Sequence, residues 1–301
     1  MYFDKKYRPK TLGQFFGNDH LKTQIKNFKK DKPSLILLHG ASGCGKTTLA
    51  RIIANKLNYE MLQFNVSDAG GIDLARSIND MVLASSMFKD GKAFILNEMQ
   101  GANKNCMNAL LEVLEEPPKN VIFIMCTTEP QVLLSAIKTR AVLMEVKPLD
   151  EYISVKLLNN ICNKENLKFS ERVLSDIYFA AKGTPRQMLI ILNEISKLKK
   201  QEDISEIIEL YGSIGEGDKA SVDVARSLLK KESFKTVMSK LKVTKDQPET
   251  IRRVICGYMS KVLSSGKLNK DAALILDVFI NTNTSIGIPS IIHSITLLYI
   301  N

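Results

Sequence analysis

The stretch that decides the fold is Gly40-Ala41-Ser42-Gly43-Cys44-Gly45-Lys46-Thr47, which has the spacing G-x-x-x-x-G-K-T. It follows a short apolar run, residues 34–39, which begins directly after a proline and predicts a buried strand. It precedes residues 48–57, whose apolar side chains recur at the spacing of an amphipathic helix. A glycine loop in this position directs consecutive backbone N–H groups at one point, where the helix dipole also favours negative charge. The pattern therefore predicts a phosphate-binding loop.

Two side chains of this loop suit a nucleoside triphosphate and its magnesium ion. We expect Lys46 to face solvent and to reach the β- and γ-phosphates, and the Thr47 hydroxyl to bind Mg²⁺. The chain is therefore predicted to bind ATP and Mg²⁺. The predicted nucleotide-binding residues of the loop are Gly40, Ser42, Gly43, Cys44, Gly45, Lys46, Thr47 and Thr48.

A second element of the predicted site is the apolar run at residues 93–96, which ends at Asn97 and Glu98. A strand that ends in two acidic residues is typical of ATPases, in which the first holds Mg²⁺ through water and the second polarises the attacking water. Here the first position is Asn97, whose amide can hydrogen-bond a magnesium-bound water but brings no negative charge. Glu98 is the predicted general base.

Composition narrows the class of protein. The chain has 301 residues and is 45% hydrophobic, which is enough to bury the cores of two or three domains. It contains no run of 18 apolar residues and its first residues lack a signal-peptide core, so we expect a cytoplasmic protein without a membrane partner. The cysteines are scattered without a C-x-x-C pair, which argues against a zinc site or a disulfide framework.

The charge of the chain is unevenly distributed. The formal net charge is +10, and residues 1–32 alone hold nine Lys or Arg against three Asp or Glu. Clustered cations next to a nucleotide site favour a nucleic-acid partner, because neutralising phosphates is worth most where positive charge is dense.

The order of the segments predicts three domains. Apolar strands alternate with helical patterns up to about residue 148, which predicts an α/β fold with a parallel sheet and helices on both faces. Helical patterns continue to the end, interrupted by a glycine-rich break at residues 211–218. The predicted domains are residues 1–148, 149–212 and 213–301. The predicted strands are residues 35–39, 60–66, 93–96, 121–126 and 142–146.

Several motifs resemble AAA+ clamp-loader ATPases, which load ring-shaped sliding clamps onto DNA. Residues 7–9 (YRP), followed by residues 16–18 (FGN), resemble the opening of these proteins. Residues 110–118 (LLEVLEEPP) and 127–131 (TTEPQ) resemble the bacterial DNA polymerase III gamma/tau subunit. Residues 65–68 and 71–73 are more similar to the small subunits of replication factor C. The specific motifs cover residues 5–190, and the mixture suggests a phage or another compact replication system.

The resemblance implies an AAA+ Rossmann-like ATP domain, a small helical lid and an all-α collar that holds an oligomer together. It implies that Thr128 senses the γ-phosphate, that Arg186 reaches the nucleotide from the lid, and that Arg140 acts in trans on the ATP of a neighbouring subunit. With Asn97 and Glu98 these form the implied catalytic set. The residues implied to border the adenine are Tyr7, Arg8, Phe16 and Gly17.

The resemblance also implies partners. Ile72 and Arg76, at a predicted helix start, and Lys104 are implied to contact the DNA backbone. The implied partners are a sliding clamp, other subunits of a pentameric ring and primer-template DNA, and the implied activity is ATP hydrolysis coupled to clamp loading.

Two alternatives stay open at this point. The chain could be a structural clamp-loader subunit that binds ATP without hydrolysing it, with Asn97 as the sign of lost chemistry. It could also be another AAA+ ATPase, such as a helicase or an initiator. The Glu-Glu-Pro-Pro run at residues 115–118 and the Thr-Arg-Ala motif at residues 139–141 argue against the latter.

Overall fold

The computed structural model describes residues 2–29, 32–69, 71–83, 89–198, 200–214, 219–244, 246–264 and 269–300. These residues form two compact units. The first consists of the described residues up to Lys164 together with Gly183–Arg186. The second consists of Glu165–Lys182 and the described residues from Gln187 onward.

The first unit is built on a five-stranded parallel sheet with the strand order β2-β3-β4-β1-β5. The predicted parallel α/β sheet is therefore confirmed. Each predicted strand is present, with bounds that differ by at most two residues. The strands are β1 Leu35–His39, β2 Tyr59–Asn65, β3 Gly91–Asn97, β4 Val121–Thr127 and β5 Val142–Glu145.

Helices cover both faces of this sheet, and the sequence shows why. In β1, β3 and β4 the residues on both faces are apolar, so alternate side chains are buried on opposite sides. One face packs against α2 and α3, and the other against α5, α6 and α7. The helices of this unit are α1 Phe3–Lys6, α2 Asp19–Lys26, α3 Lys46–Lys56, α4 Val66–Ala69, α5 Ile72–Leu83, α6 Lys104–Glu115, α7 Ser135–Arg140 and α8 Glu151–Lys164, with 3₁₀ turns at Leu12–Gln14, Asn27–Lys29, Met99–Gly101 and Pro130–Val132.

In the second unit, every regular element that the structure describes is helical. The helices α12 to α16 enclose one apolar core, and α11 packs against α9 and α14. The helices are α9 Glu171–Ala181, α10 Pro185–Ile195 (whose first two residues belong to the first unit), α11 Gln201–Ile214, α12 Lys219–Leu229, α13 Phe234–Leu241, α14 Pro248–Ser264, α15 Lys270–Ile280 and α16 Ile288–Ile300, with a 3₁₀ turn at Thr284–Ile286.

The prediction of a glycine-rich break beginning at residue 211 is wrong over residues 211–214, because α11 continues to Ile214. A Cβ added at Gly212 would lie 3.5 Å from the Cα of Ala180 in α9. That distance is an ordinary van der Waals contact, so Gly212 lies within α11 without ending it, and nothing in the structure requires glycine there. Residues 215–218 lie outside the described part of the chain.

The three predicted domains stay a prediction. Helix α8, which was assigned to the second domain, belongs to the same compact unit as the sheet, and the boundary at residue 213 falls in the last turn of α11. Within the described part of the chain, no helix combines the length and apolar character needed to span a bilayer.

Candidate nucleotide-binding site

The glycine loop joins the carboxyl end of β1 to the first turn of α3, as the sequence predicts. Gly43 has a φ of +74°, and a Cβ there would lie 2.7 Å from Cγ2 of Thr184. Gly40 has a φ of +139°, and its Cβ would lie 2.3 Å from the backbone oxygen of Val146. Both positions therefore require glycine, because any side chain would add strain and a collision.

Lys46 does not face solvent, contrary to the sequence-based prediction. Its side chain is buried, and the ammonium donates hydrogen bonds to the backbone oxygens of Gly40 at 2.7 Å and Ala41 at 2.9 Å. Burial lowers the pKa of the ammonium below its usual value, because desolvation disfavours the charged form. The ammonium is thus hydrogen-bonded to two loop carbonyls, and a bound nucleotide would offer its phosphates to the same ammonium.

Thr47 and Asn97 are directly linked. The Thr47 hydroxyl donates a 2.7 Å hydrogen bond to Oδ1 of Asn97, and Nδ2 of Asn97 donates to the backbone oxygen of Phe64 at 3.3 Å. Asn97 is buried, so both of its polar atoms are held in fixed directions. The pair places two oxygen atoms side by side at the edge of the loop, and oxygen ligands are those that Mg²⁺ prefers. The residues present therefore fit a magnesium ion, which the Thr47 hydroxyl would bind directly, and this role stays a prediction.

Glu98 directly follows β3 and is held by a chain of hydrogen bonds. Its backbone adopts the left-handed conformation, with φ 54° and ψ 48°, which is uncommon for a residue other than glycine. Nε2 of Gln100 donates to Oε2 of Glu98 at 2.6 Å, and Oε1 of Gln100 accepts from the buried Thr127 hydroxyl at 2.9 Å. The carboxylate is therefore oriented by a sheet residue through Gln100.

Thr128, the predicted phosphate sensor, is the first residue after β4 and is half-buried. Within the described part of the chain, its hydroxyl forms no hydrogen bond, whereas the preceding Thr127 binds Gln100 and accepts from the Glu129 backbone N–H at 3.0 Å. At the end of β4, the Thr127 hydroxyl is therefore used in hydrogen bonds within the protein, whereas the Thr128 hydroxyl is available to a ligand. The sensor role of Thr128 stays a prediction.

Arg186 lies beside the loop even though it is more than 140 residues away along the chain. Its backbone N–H donates to the Gly43 oxygen at 3.4 Å, and its Cβ lies 3.2 Å from the position of a Gly43 Cβ. The preceding Gly183 is fixed by the Leu149 backbone N–H, which donates to its oxygen at 2.9 Å. These contacts hold Arg186, which is exposed, beside the loop, and its contact with the nucleotide stays a prediction.

Of the residues predicted to border the adenine, Tyr7 and Arg8 are half-buried in the same unit. The Tyr7 ring packs edge-on against Phe3 at 5.8 Å, and the Lys164 ammonium lies 5.6 Å from its centre. Burial, and then the nearby charge of Arg8, lower the pKa of Arg51 on α3, so Arg8 lies close to the helix that begins at the loop. Their contact with a base stays a prediction.

Phe16 and Gly17 complete the predicted adenine set, which stays a prediction, and their neighbour Phe15 lies against the loop. Phe15 is buried, and its ring lies 3.0 Å from the position of a Cβ at Gly45. Phe16 is half-buried, and a Cβ at Gly17 would lie 2.5 Å from a methyl of Leu149. The sequence pointed to Phe16, and the structure adds Phe15 as the support of the loop.

Comparison with known proteins identifies the architecture. The structure superposes on the RuvB Holliday junction branch migration motor of Thermotoga maritima with a TM-score of 0.58 at 17% identity, covering 85% of this chain and 91% of that one. This likeness establishes the AAA+ fold alone. The family model of the DNA polymerase III delta subunit matches residues 62–150.

Relatives in sequence lie among the clamp loaders. The chain is 26% identical to the DNA polymerase III subunit tau/gamma of Haemophilus influenzae, over 74% of this chain and 36% of that protein. It is 28% identical to the replication factor C small subunit of Methanothermobacter thermautotrophicus, over 68% and 66% respectively. The chain is thus similar in sequence to subunits of clamp loaders. The match spans little more than a third of the tau/gamma relative's length.

Arg140 is the last residue of α7 and is exposed, with 38% of its side chain accessible. Its Nη2 donates to Oε1 of Glu115 at 2.7 Å, and its Nη1 donates to the backbone oxygen of Ala136 at 3.0 Å. Arg140 therefore stands at the surface, as a residue that acts on a neighbouring subunit requires. Action in trans stays a prediction.

The predicted DNA-contacting residues lie at two helix starts. Ile72 and Lys104 are the first residues of α5 and α6, and both are exposed. Arg76 is one turn into α5, is 69% exposed, and lies 3.5 Å from the Asp73 carboxylate. The two helices pack against each other and both follow carboxyl ends of strands in one parallel sheet. Contact of these residues with DNA stays a prediction.

Proposed function

We propose that this protein is an ATP-dependent clamp-loader subunit that opens a sliding clamp and loads it at primer-template DNA. The observation that carries the proposal is the convergence of Lys46, Thr47, Asn97 and Glu98 at one edge of the sheet, where His39 of β1 pairs with Thr127 of β4. The similarity to DNA polymerase III and replication factor C subunits supports a sliding clamp and primer-template DNA as the substrates.

In the proposed reaction, each residue has a separate task. Lys46 would exchange its hydrogen bonds to the loop carbonyls for contacts with the β- and γ-phosphates, and Thr47 would hold the magnesium ion, to which Asn97 would bind through water. Bound Mg²⁺ would neutralise charge that develops on the phosphates. Glu98 accepts the proton of the attacking water, in the orientation that Gln100 imposes.

Two arginines complete the proposed site from different sides. Arg186 reaches the nucleotide of its own chain from beside Gly43, and Arg140 reaches the nucleotide of the neighbouring subunit. ATP binding would thus stabilise a ring, for which we propose five subunits, and the helices of the second unit would supply the lid and the collar. DNA held by Ile72, Arg76 and Lys104 would complete the active sites, and hydrolysis would release the loader.

One alternative rests on a specific observation. Because Asn97 carries no charge, the chain could be a structural subunit that binds ATP without turning it over. A measured ATPase rate separates the two proposals. The likeness to RuvB concerns the fold alone, and binding to a sliding clamp in a pull-down separates a clamp loader from a helicase or an initiator.

Primer-template DNA should stimulate the ATPase. Backbone contacts at the starts of α5 and α6 would make this stimulation insensitive to base sequence. The stimulation should also fall with salt, since each phosphate contact adds roughly −0.9 to the slope of log affinity against log salt. The measurement is the ATPase rate against DNA concentration at several salt concentrations and with two unrelated sequences.

The control for this experiment is Lys46→Ala, which removes the phosphate ligand and should abolish ATP binding. Because Lys46 is buried, its loss leaves the Gly40 and Ala41 oxygens without their donor, so the folding of the variant is checked by thermal unfolding. A flat salt response or a strong sequence preference would contradict the clamp-loader proposal. Unchanged ATP affinity in the variant would contradict the phosphate-binding loop.

Asn97→Asp should raise the rate at low Mg²⁺ and shift half-maximal activity to lower Mg²⁺. A carboxylate brings a full negative charge next to the metal, where one preorganised electrostatic group is worth about 10²–10³ in rate. The same change places an oxygen against the Phe64 oxygen where the amide now donates at 3.3 Å. Losing that buried hydrogen bond should cost about 1–3 kcal/mol of stability without ligand.

Magnesium titration of the ATPase rate and thermal unfolding without nucleotide measure the two effects separately. Asn97→Ala is the matched control, because it removes the amide and adds no charge. If Asn97→Asp and the wild-type chain are both inactive at every Mg²⁺ concentration, the structural-subunit alternative replaces the proposal.

A further inference from the structure

We propose that Glu115 is a positioning residue for Arg140, and that it sets the geometry with which this chain completes the ATP site of its neighbour. The inference rests on the proposed function, because it assigns a support to the arginine that acts in trans. It concerns the first glutamate of the Glu-Glu-Pro-Pro run, to which the proposed reaction gives no task.

The hydrogen bonds of Arg140 fix the plane of its guanidinium. Glu115 binds Nη2 at 2.7 Å and the Ala136 oxygen binds Nη1 at 3.0 Å. These bonds use two of the five N–H donors that a guanidinium carries. The remaining donors, on Nε, Nη1 and Nη2, keep a fixed direction and stay open to a phosphate. Glu115 and the Ala136 oxygen therefore orient the guanidinium and leave it N–H donors that can bind a phosphate.

The support of Glu115 is itself rigid. Glu115 is the last residue of α6, and Arg140 is the last residue of α7. Leu114, one residue before Glu115, and Ile137, three residues before Arg140, are both buried. They belong to the same apolar core, in which α6 packs against α7. Pro117 and Pro118 prevent the helix from continuing, so the carboxylate stands at a defined helix end.

Helix α6 also connects the Glu115–Arg140 ion pair with the nucleotide site of the same chain. The helix has 12 residues and is about 18 Å long, and two residues separate it from the 3₁₀ turn that contains Gln100. Gln100 holds Glu98 of the same chain. One rigid helix thus connects the surroundings of the general base with the carboxylate that holds Arg140 for the next subunit.

The ion pair between Arg140 and Glu115 is too exposed to contribute much to the stability of the fold. The side chains of Arg140 and Glu115 are 38% and 55% accessible, and exposed ion pairs contribute little to folding. Variants of Glu115 should therefore fold normally. Their effect should appear in turnover, because small errors in the placement of a catalytic group lower rates without changing ground-state binding.

The experiment measures DNA-stimulated ATPase kinetics of the full chain with three substitutions. Glu115→Ala should lower kcat about tenfold and leave the KM for ATP unchanged. Glu115→Gln keeps an oxygen that can accept from Nη2, so it should recover most of the rate. Glu116→Ala is the matched control, because it removes the same charge from the adjacent exposed residue and should match the wild-type chain.

A mixing experiment locates the defect. In mixtures of Glu115→Ala with Lys46→Ala, the first variant offers an intact ATP site and the second an intact arginine, so activity should exceed that of either parent. Adding Glu115→Ala to Arg140→Ala should cause no further loss, since both substitutions affect one contact.

Several results would overturn the inference. A Glu115→Ala rate that equals or exceeds that of the wild-type chain, an equal loss in Glu116→Ala, or an additive loss in the double variant would each do so. If Arg140→Ala is impaired and Glu115→Ala is not, the inference fails and the proposed function stands. If the wild-type chain hydrolyses no ATP, both fail.

Discussion

Arg140→Ala should lower the ATPase rate about 10³–10⁵-fold, which is the range for arginines that act in trans in related phosphoryl-transfer enzymes. The affinity of the same chain for ATP should not change, because Arg140 stands at the surface on α7 while the loop binds the phosphates of its own nucleotide. The measurements are single-turnover hydrolysis and equilibrium binding of a fluorescent ATP analogue.

Lys138→Ala is the control, since it removes one positive charge from the same turn of α7. Mixing Arg140→Ala with Lys46→Ala should restore activity where an intact site meets an intact arginine. If mixed oligomers form and no mixture exceeds its parents, Arg140 does not act across subunits.

Glu98→Gln should lower turnover about 10²–10⁴-fold, which is the usual contribution of a general base. Binding of ATP should persist, because the amide has nearly the shape of the carboxylate and its oxygen can still accept from Gln100. Hydrolysis under single-turnover conditions, together with ATP affinity, measures the split between chemistry and binding.

Glu129→Gln provides the matched control, because Glu129 is an exposed carboxylate just after β4, at the same edge of the sheet. It should hydrolyse ATP at the wild-type rate. A Glu98→Gln chain with normal turnover would show that another group takes the proton, and would remove the support for the proposed role of Gln100.

The helices and strands near the loop could be predicted because their patterns are local. Apolar runs at residues 35–39, 93–96 and 121–126 have the length and composition of buried strands, and all three form the centre of the sheet. The phosphate-binding loop could be predicted from the spacing of its glycines and Lys46. The positions of Asn97 and Glu98 followed from the rule that parallel strands end at one edge.

Two predictions failed because the pattern of residue types does not show how the backbone folds around them. Lys46 is predicted to face solvent, but the loop folds back so that two of its own carbonyls accept hydrogen bonds from the ammonium. Gly212 is predicted to lie in a break, but it lies inside α11, where a Cβ would meet Ala180 of α9 at an ordinary contact distance of 3.5 Å. In both cases the sequence identifies the residue type, and the folded backbone decides its surroundings.

The sequence contains no indication of what the supporting residues do, although Thr127 and Glu115 lie within motifs that resemble clamp loaders. Gln100, Thr127 and Glu115 are ordinary polar residues whose roles depend on hydrogen bonds to Glu98 and Arg140. Phe15 could have been found only as the buried neighbour of Phe16. The resemblance marks Glu115 and Thr127 as parts of motifs, but the side chains that they hold are visible only in the structure.

The sequence by itself determined the parallel α/β sheet, the phosphate-binding loop and the strand ending in Asn97 and Glu98, because periodicity and the backbone needs of glycine act over a few residues. Only the tertiary structure decided that Asn97 is pinned between Thr47 and the Phe64 oxygen, and that Glu115 holds Arg140. Hydrogen bonds between residues 25 to 50 apart depend on how strands and helices pack. Packing is a property of the whole fold, which no local pattern contains.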